Sequence, residues 1–220
     1  MPTAIKVMVD AAPWLLQGAV MTLETSLLAI ALGLPVGIAL AVAQRARLCM
    51  LRGFVSVYIS FARGTPLFIQ IMLVFFVLPS LGFDIPRFCA GVIALSLNSG
   101  AYIAEMIRGG LTAIPKGQVE AARALSMPRS LMWRHIILPQ VLALILPPLT
   151  VEFTGLLKGS ALLAVIGIVE LTRTGQQMVA ATFKPLEIWL MVGIFYFVMC
   201  YALAALTRYL ERTTQVYRAV

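Results

Sequence analysis

The chain reads as an all-α integral membrane protein of five spans, and three observations predict it. Of its 220 residues, 61% are hydrophobic and only 12% are charged, and the mean hydropathy is +0.96. No water-soluble domain of this size needs so much apolar side chain. The apolar residues also fall into runs that reach the about 20 residues a helix needs to cross the hydrocarbon core. Finally, Lys and Arg gather in alternate connections between those runs, as they do in multi-span proteins.

Taken in order, residues 1–14 are an extracytoplasmic lead-in and residues 15–220 form one transmembrane domain. The spans cover 15–43, 54–81, 88–106, 138–157 and 188–206. The first run is too long for a signal-peptide core and ends at Arg45 and Arg47, a stop-transfer pattern. The fourth qualifies despite Glu152 and the Pro147-Pro148 pair. Between the fourth and fifth, Ala161 to Val169 is apolar, but Glu170, Arg173, Gln176 and Gln177 follow at once. Nine apolar residues cannot cross the core, so 161–183 is expected to be a short, partly buried or interfacial segment on the outer side.

Eleven of the seventeen Lys and Arg residues lie in 44–53, in 107–137 and after Leu206, where Arg208, Arg212 and Arg218 stand. This asymmetry places the N-terminus outside and the C-terminus in the cytoplasm, in agreement with an odd number of spans. The basic surplus therefore sets orientation and does not point to a nucleic-acid partner. Cys49, Cys89 and Cys200 are scattered, and His135 is the single histidine, so no metal or disulfide spacing is present.

The loop 107–137 contains a polar, helix-prone stretch with Glu120, Arg123, Arg129, Arg134 and His135. Between two spans it must lie in water or against another protein. Ala121, Ala122 and Ala124 favour helix and leave a low-relief face that a partner can approach. Glu120 offers a carboxylate to that partner, and Pro128 is expected to end the helix. The second span is interrupted at Arg63-Gly64-Thr65-Pro66. Thr65 suits an N-cap and Pro66 the first position of a new half-helix. The free N–H groups there, with Arg63, would hold a carboxylate; the alternative is that Arg63 snorkels to the inner interface and the proline kinks a continuous helix.

Glu152 in the fourth span should face the bundle interior or a wet cavity, because a charge in lipid costs several kcal/mol. It binds the cationic part of a substrate, or it pairs structurally with Lys158 or Arg63. Asn98, Tyr102 and Glu105 recur along one face of the third span. The first two serve a ligand or interhelical bonding, while Glu105 with Arg108 at i+3 reads as a structural pair.

These motifs carry a resemblance. Glu120-Ala121-Ala122, the small Ser126, then Ile136, Leu138 and Pro139 resemble the EAA loop of ABC-importer permeases, which usually has Gly where Ser126 stands. Arg63-Gly64-Thr65-Pro66-Leu67 with Gln70 resembles a signature of the polar amino-acid branch, which handles histidine, arginine, glutamine, glutamate and opines. Leu97 to Tyr102 with Glu105 and Arg108, Gly117-Gln118, Leu138-Pro139-Gln140, Pro147-Pro148-Leu149 and Leu156-Leu157-Lys158 extend the likeness from about Gly18 to the C-terminus. Val151 replaces a usual Asn, and Gly159-Ser160-Ala161 a usual Asp-Thr-Ser.

The resemblance implies a five-span type I ABC-importer permease (MetI-like) bundle with a cytoplasmic coupling helix, in a bacterial inner membrane. It implies ATPase coupling through Glu120, Ala121, Ala122 and Ser126, and a substrate pathway along Arg63, Thr65, Asn98, Tyr102 and Glu152. Partners would be ATP-binding ABC subunits, a second permease subunit, identical or related, an extracytoplasmic solute-binding protein and an amino acid. ATP and Mg would sit on the ATPase and no cofactor on this chain, which has no GxxxxGK[ST] segment. An ion- or proton-coupled carrier would explain Glu152 but predicts inverted repeats, of which none is visible. A membrane enzyme would need a nucleophile–base pair or a metal cluster, and a single loop histidine supplies neither.

Overall fold

A computed structural model describes residues 4–214, with side chains to Tyr209. Arg218 and the side chain of Arg212, counted above for orientation, lie outside that range. The described residues form helices joined by short turns, with no strand among them. In order it runs α1 (Ala4–Ala43), α2 (Cys49–Gly64), α3 (Leu67–Ser80), α4 (Arg87–Ala113), α5 (Lys116–Ala124) and α6 (Arg129–Met132). A π-helical turn (Trp133–Ile137) leads into α7 (Leu138–Gly159), a 3₁₀ turn (Ser160–Ile166), α8 (Leu171–Thr182) and α9 (Pro185–Thr214).

Four helical stretches are long and apolar enough to cross a membrane, and α2 with α3 makes a fifth if the bent pair counts as one span. The first helix starts at Ala4, so most of the expected lead-in is helix. At about 1.5 Å per residue α1 is about 60 Å long, twice the hydrocarbon thickness. Its early turns are held by apolar contact: Val7, Ala11 and Leu15 are buried with Ile188 and Val192 of α9 and Leu171 of α8.

α4 is the central strut. It packs along α1 and touches α2, α3 and α7. The α1–α4 approach is close because both faces are small. A Cβ on Gly37 would sit 2.5 Å from Ile103 Cγ2, and one on Gly100 would sit 2.6 Å from Val36 Cγ1. Small residues let helix backbones meet in a membrane, where lipid offers no hydrophobic drive to associate.

The connector expected to be interfacial is a 3₁₀ turn followed by α8, anchored rather than loose. Glu170 is fully buried and caps α8, accepting from the N–H groups of Thr172 (2.8 Å) and Arg173 (2.7 Å). Tyr196 of α9 donates to it at 3.0 Å, and Thr22 of α1 accepts the Leu171 N–H at 3.1 Å. Burial pushes the Glu170 carboxyl above the ordinary glutamate range, and these donors oppose the shift. One acidic residue thereby ties α8 to α9, and its neighbour ties α8 to α1.

Candidate functional site

The break in the second span is sharp: the axes of α2 and α3 differ by 117°. Pro66 cannot donate a backbone hydrogen bond and holds Thr65 extended. The caps differ by one residue from expectation. Pro66 is the N-cap of α3, and Thr65 closes α2 as its C-cap. Its N–H (3.0 Å) and hydroxyl (2.8 Å) both donate to Phe61 O, meeting a carbonyl that the end of α2 would otherwise leave unpaired.

Gln70, one turn into α3, folds back over the same break. Its Nε2 donates to Ala62 O (2.7 Å), Thr65 O (3.1 Å) and Thr65 Oγ1 (3.0 Å), and its Oε1 accepts from Asn98 Nδ2 at 3.0 Å. Asn98 also donates to Ala62 O at 3.3 Å. Asn98 is therefore held by interhelical bonds and fixes the break against α4. Gln70 was named in the sequence only as a motif letter. Its structural role lacks a sequence signal of its own, since a lone amide in an apolar run does not reveal which carbonyls it will meet.

Arg63 ends α2 and reaches Glu105 of α4 at 3.2 Å, with its guanidinium 5.7 Å from the centre of the Tyr102 ring. Glu105 also accepts from Arg108 Nε (2.9 Å) and Nη2 (2.7 Å) and from Gln44 at 3.3 Å. The pair expected with Arg108 is thus a cluster of two guanidiniums on one carboxylate, with one positive charge in excess. The Arg63 side chain remains 44% exposed.

On α7, Glu152 is half-buried and lies near the Ser99 side chain of α4, whose buried hydroxyl has no hydrogen-bond partner among the described residues. Among the described residues it forms no ion pair with Lys158 or Arg63. Ser99 and Tyr102 are i,i+3 neighbours on α4, about 5–6 Å apart at Cβ. The structure therefore brings Arg63 and Glu152, one of each sign and from different helices, to adjacent positions on one helix. Asn98 and Tyr102 line the same stretch, and both are partly exposed. Thr65 is turned into the α2–α3 break. Val151, where the resembled family has Asn, is 73% exposed.

The second candidate surface is α5. Glu120, Ala121 and Ala124 are exposed along it. Ala122, expected on the same face, is 3% exposed and packs with Ile114, Met132 and Ile137. It anchors the helix to its own subunit. The helix also stops before Pro128, at Ala124. Ser126 N–H donates to Arg123 O (2.9 Å) and Met127 N–H to Ala122 O (3.0 Å), a Schellman closure with Ser126 at φ 55°. Pro128 instead caps α6. A glycine suits this place because it adopts the left-handed conformation without a Cβ penalty, so the importance of position 126 is conformational.

Residues 33–216 match the family described as binding-protein-dependent transport system inner membrane component. The chain is 40% identical to the glutamine transport system permease protein GlnP of Escherichia coli (strain K12), over 94% of this chain and 95% of that one. It is also 40% identical to the arginine transport system permease protein ArtQ of Bacillus subtilis (strain 168), over 91% and 92%. Among solved structures, an amino acid ABC transporter with histidines superposes with a TM-score of 0.88 at 38% identity, covering 97% of this chain and 100% of that one. The inward-facing MetNI methionine ABC transporter superposes at 0.68 with 21% identity, over 97% and 99%, a likeness of fold alone.

Proposed function

This chain belongs to the binding-protein-dependent transport system inner membrane components, multi-pass permease subunits of ABC importers, and we propose that it conducts a polar amino acid past Arg63 and Glu152. It is not itself an enzyme; ATP hydrolysis falls to a separate ATPase subunit. The relatives named for glutamine and arginine, and the neighbour with histidines, support an amino acid as cargo. The observation that carries the reading is the meeting of opposite charges on neighbouring residues of α4. Such a pair suits a zwitterion, with the α-ammonium toward Glu152 and the α-carboxylate toward the excess positive charge of the Arg63–Glu105–Arg108 cluster. Asn98 and Tyr102 would line the path, and Thr65 would keep its entrance in shape by holding the break.

The energy enters through α5. Glu120, Ala121 and Ala124 form the surface that docks into the ATPase, the Ser126 turn ends it, and Ala122 transmits the push into the α4–α7 core. ATP and Mg belong to the ATPase, and a solute-binding protein delivers the amino acid on the outer side. A second permease subunit completes the translocation path. The N-terminus lies outside, and α5 and the C-terminus lie in the cytoplasm, a reading that the clustering of basic residues supports. The carrier alternative has no use for an exposed, alanine-faced helix beside Glu120.

The test is uptake of radiolabelled glutamine and arginine by the reconstituted importer with Glu152→Gln and Arg63→Gln. Each is expected to raise the KM for transport at least tenfold while basal ATPase activity persists. Uptake at unchanged KM in both variants would reject the substrate role.

A further inference from the structure

Beside α5 the chain forms a cavity of about 530 Å³ whose lining joins three regions: Arg45 just past the end of α1, Lys116, Glu120 and Arg123 on α5, and Trp133 in the π-helical turn. Its wall includes Ile114, which is buried in the core beneath α5. Among the described residues none of the four charged groups takes part in an ion pair, so three cations and one carboxylate face the cavity uncompensated. The lining thus has two characters: an excess of two positive charges, and apolar side chains that include Leu111, Ile114, Val119 and Ile137.

We propose that this cavity holds an anionic phospholipid, with its phosphate between Arg45, Lys116 and Arg123 and acyl carbon against the apolar wall. Three features favour a lipid over a soluble anion or an acidic side chain of a partner protein. Arg45 follows the last apolar turn of α1 directly, which puts its guanidinium at headgroup depth. Trp133 is half-exposed at the cavity, and tryptophan favours the membrane–water interface. A small anion would satisfy the cations and leave the apolar wall wet, whereas a phospholipid fills both parts. Because the cations sit just past the end of α1 and on α5, the bound lipid would brace α5 against the end of the first span. Lipid composition would then set how firmly α5 moves with the bundle.

The experiment uses the full-length chain, purified from nanodiscs of mixed phosphatidylethanolamine and phosphatidylglycerol with whatever subunits accompany it. Native mass spectrometry counts the retained lipid. Each basic residue near an anionic surface contributes about 1 kcal/mol, so Arg45→Gln with Lys116→Gln should weaken phosphatidylglycerol retention about thirtyfold. Arg45→Lys should keep it. Wild-type protein in rising salt should release the lipid, a readout that does not depend on how the variants fold. Equal retention in the double variant overturns the proposal. So does displacement of the lipid by inorganic phosphate, which would mark a free-anion site. Loss of an ATPase subunit in the double variant with the lipid still bound would assign the cavity to protein docking and likewise overturn it.

Discussion

Replacing Gln70 by leucine tests how the broken span is held. The substitution keeps approximate size and adds apolar surface, but it removes the donor to Ala62 O at 2.7 Å and the acceptor for Asn98 Nδ2 at 3.0 Å, along with weaker contacts to Thr65. Ala62 O keeps its 3.3 Å bond from Asn98, so one carbonyl is not fully orphaned. Interhelical hydrogen bonds in membranes average about 0.6 kcal/mol, and a buried polar group left unpaired costs about 1–3 kcal/mol. With Gln70 itself buried, two lost bonds and one unpaired Thr65 carbonyl give a loss of about 2–3 kcal/mol, a little less after the apolar gain of leucine. For a chain of this size that lowers the melting temperature by about 4–12 °C. Thermal unfolding of the detergent-solubilised protein, followed by size exclusion, measures it directly. A shift of less than about 1 °C would refute the reasoning, since the bonds at the 117° break would then contribute nothing net.

Further outcomes follow from the same geometry. Ser126→Gly removes the penalty of a left-handed serine and should stabilise the end of α5 by about 0.5–1 kcal/mol, after the extra unfolded-state freedom of glycine is subtracted. The amides of 122–127 should then exchange hydrogen several-fold more slowly by mass spectrometry. Gly37→Val places side-chain atoms where a Cβ alone already meets Ile103 at 2.5 Å and Gly100 O at 3.0 Å. An overpacking cost of about 2 kcal/mol or more should appear as a lower melting temperature and more aggregate on size exclusion. Glu170→Ala removes the α8 cap and the acceptor of Tyr196, for a combined loss of about 2–3 kcal/mol; limited proteolysis should then cut first within α8.

Much of this organisation was legible in the residues. Span number followed from run length, and the break at Pro66 from the chemistry of a residue with no N–H. The helix α5 was marked by alanine among charges. What escaped was whatever depends on three-dimensional registration. Apolarity does not report where a helix begins outside the core, so the start of α1 at Ala4 was hidden behind Lys6 and Asp10. The inward face of Ala122 could not be told from the outward faces of Ala121 and Ala124, because alanine suits both. A one-residue shift moved Thr65 from the cap of α3 to the cap of α2, since its hydroxyl can serve either helix. Pro128 looked like the helix stop, yet the left-handed turn at Ser126 came first. In the candidate site, Arg63 and Glu152 were each visible as charges that lipid would not tolerate. Their placement beside Tyr102 and Ser99 required the packing of α2 and α7 on α4.

The proposed transport cycle depends on α5 as the place where an ATPase engages this subunit. The direct measurement is co-purification of the chain with its ATPase, wild type against Glu120→Lys, with the melting temperature of each permease checked in parallel. Glu120 is exposed and its reversal leaves the Ala122 anchor in place, so the account predicts an equally stable permease that loses its ATPase. An ATPase that stays bound at wild-type stoichiometry would contradict it.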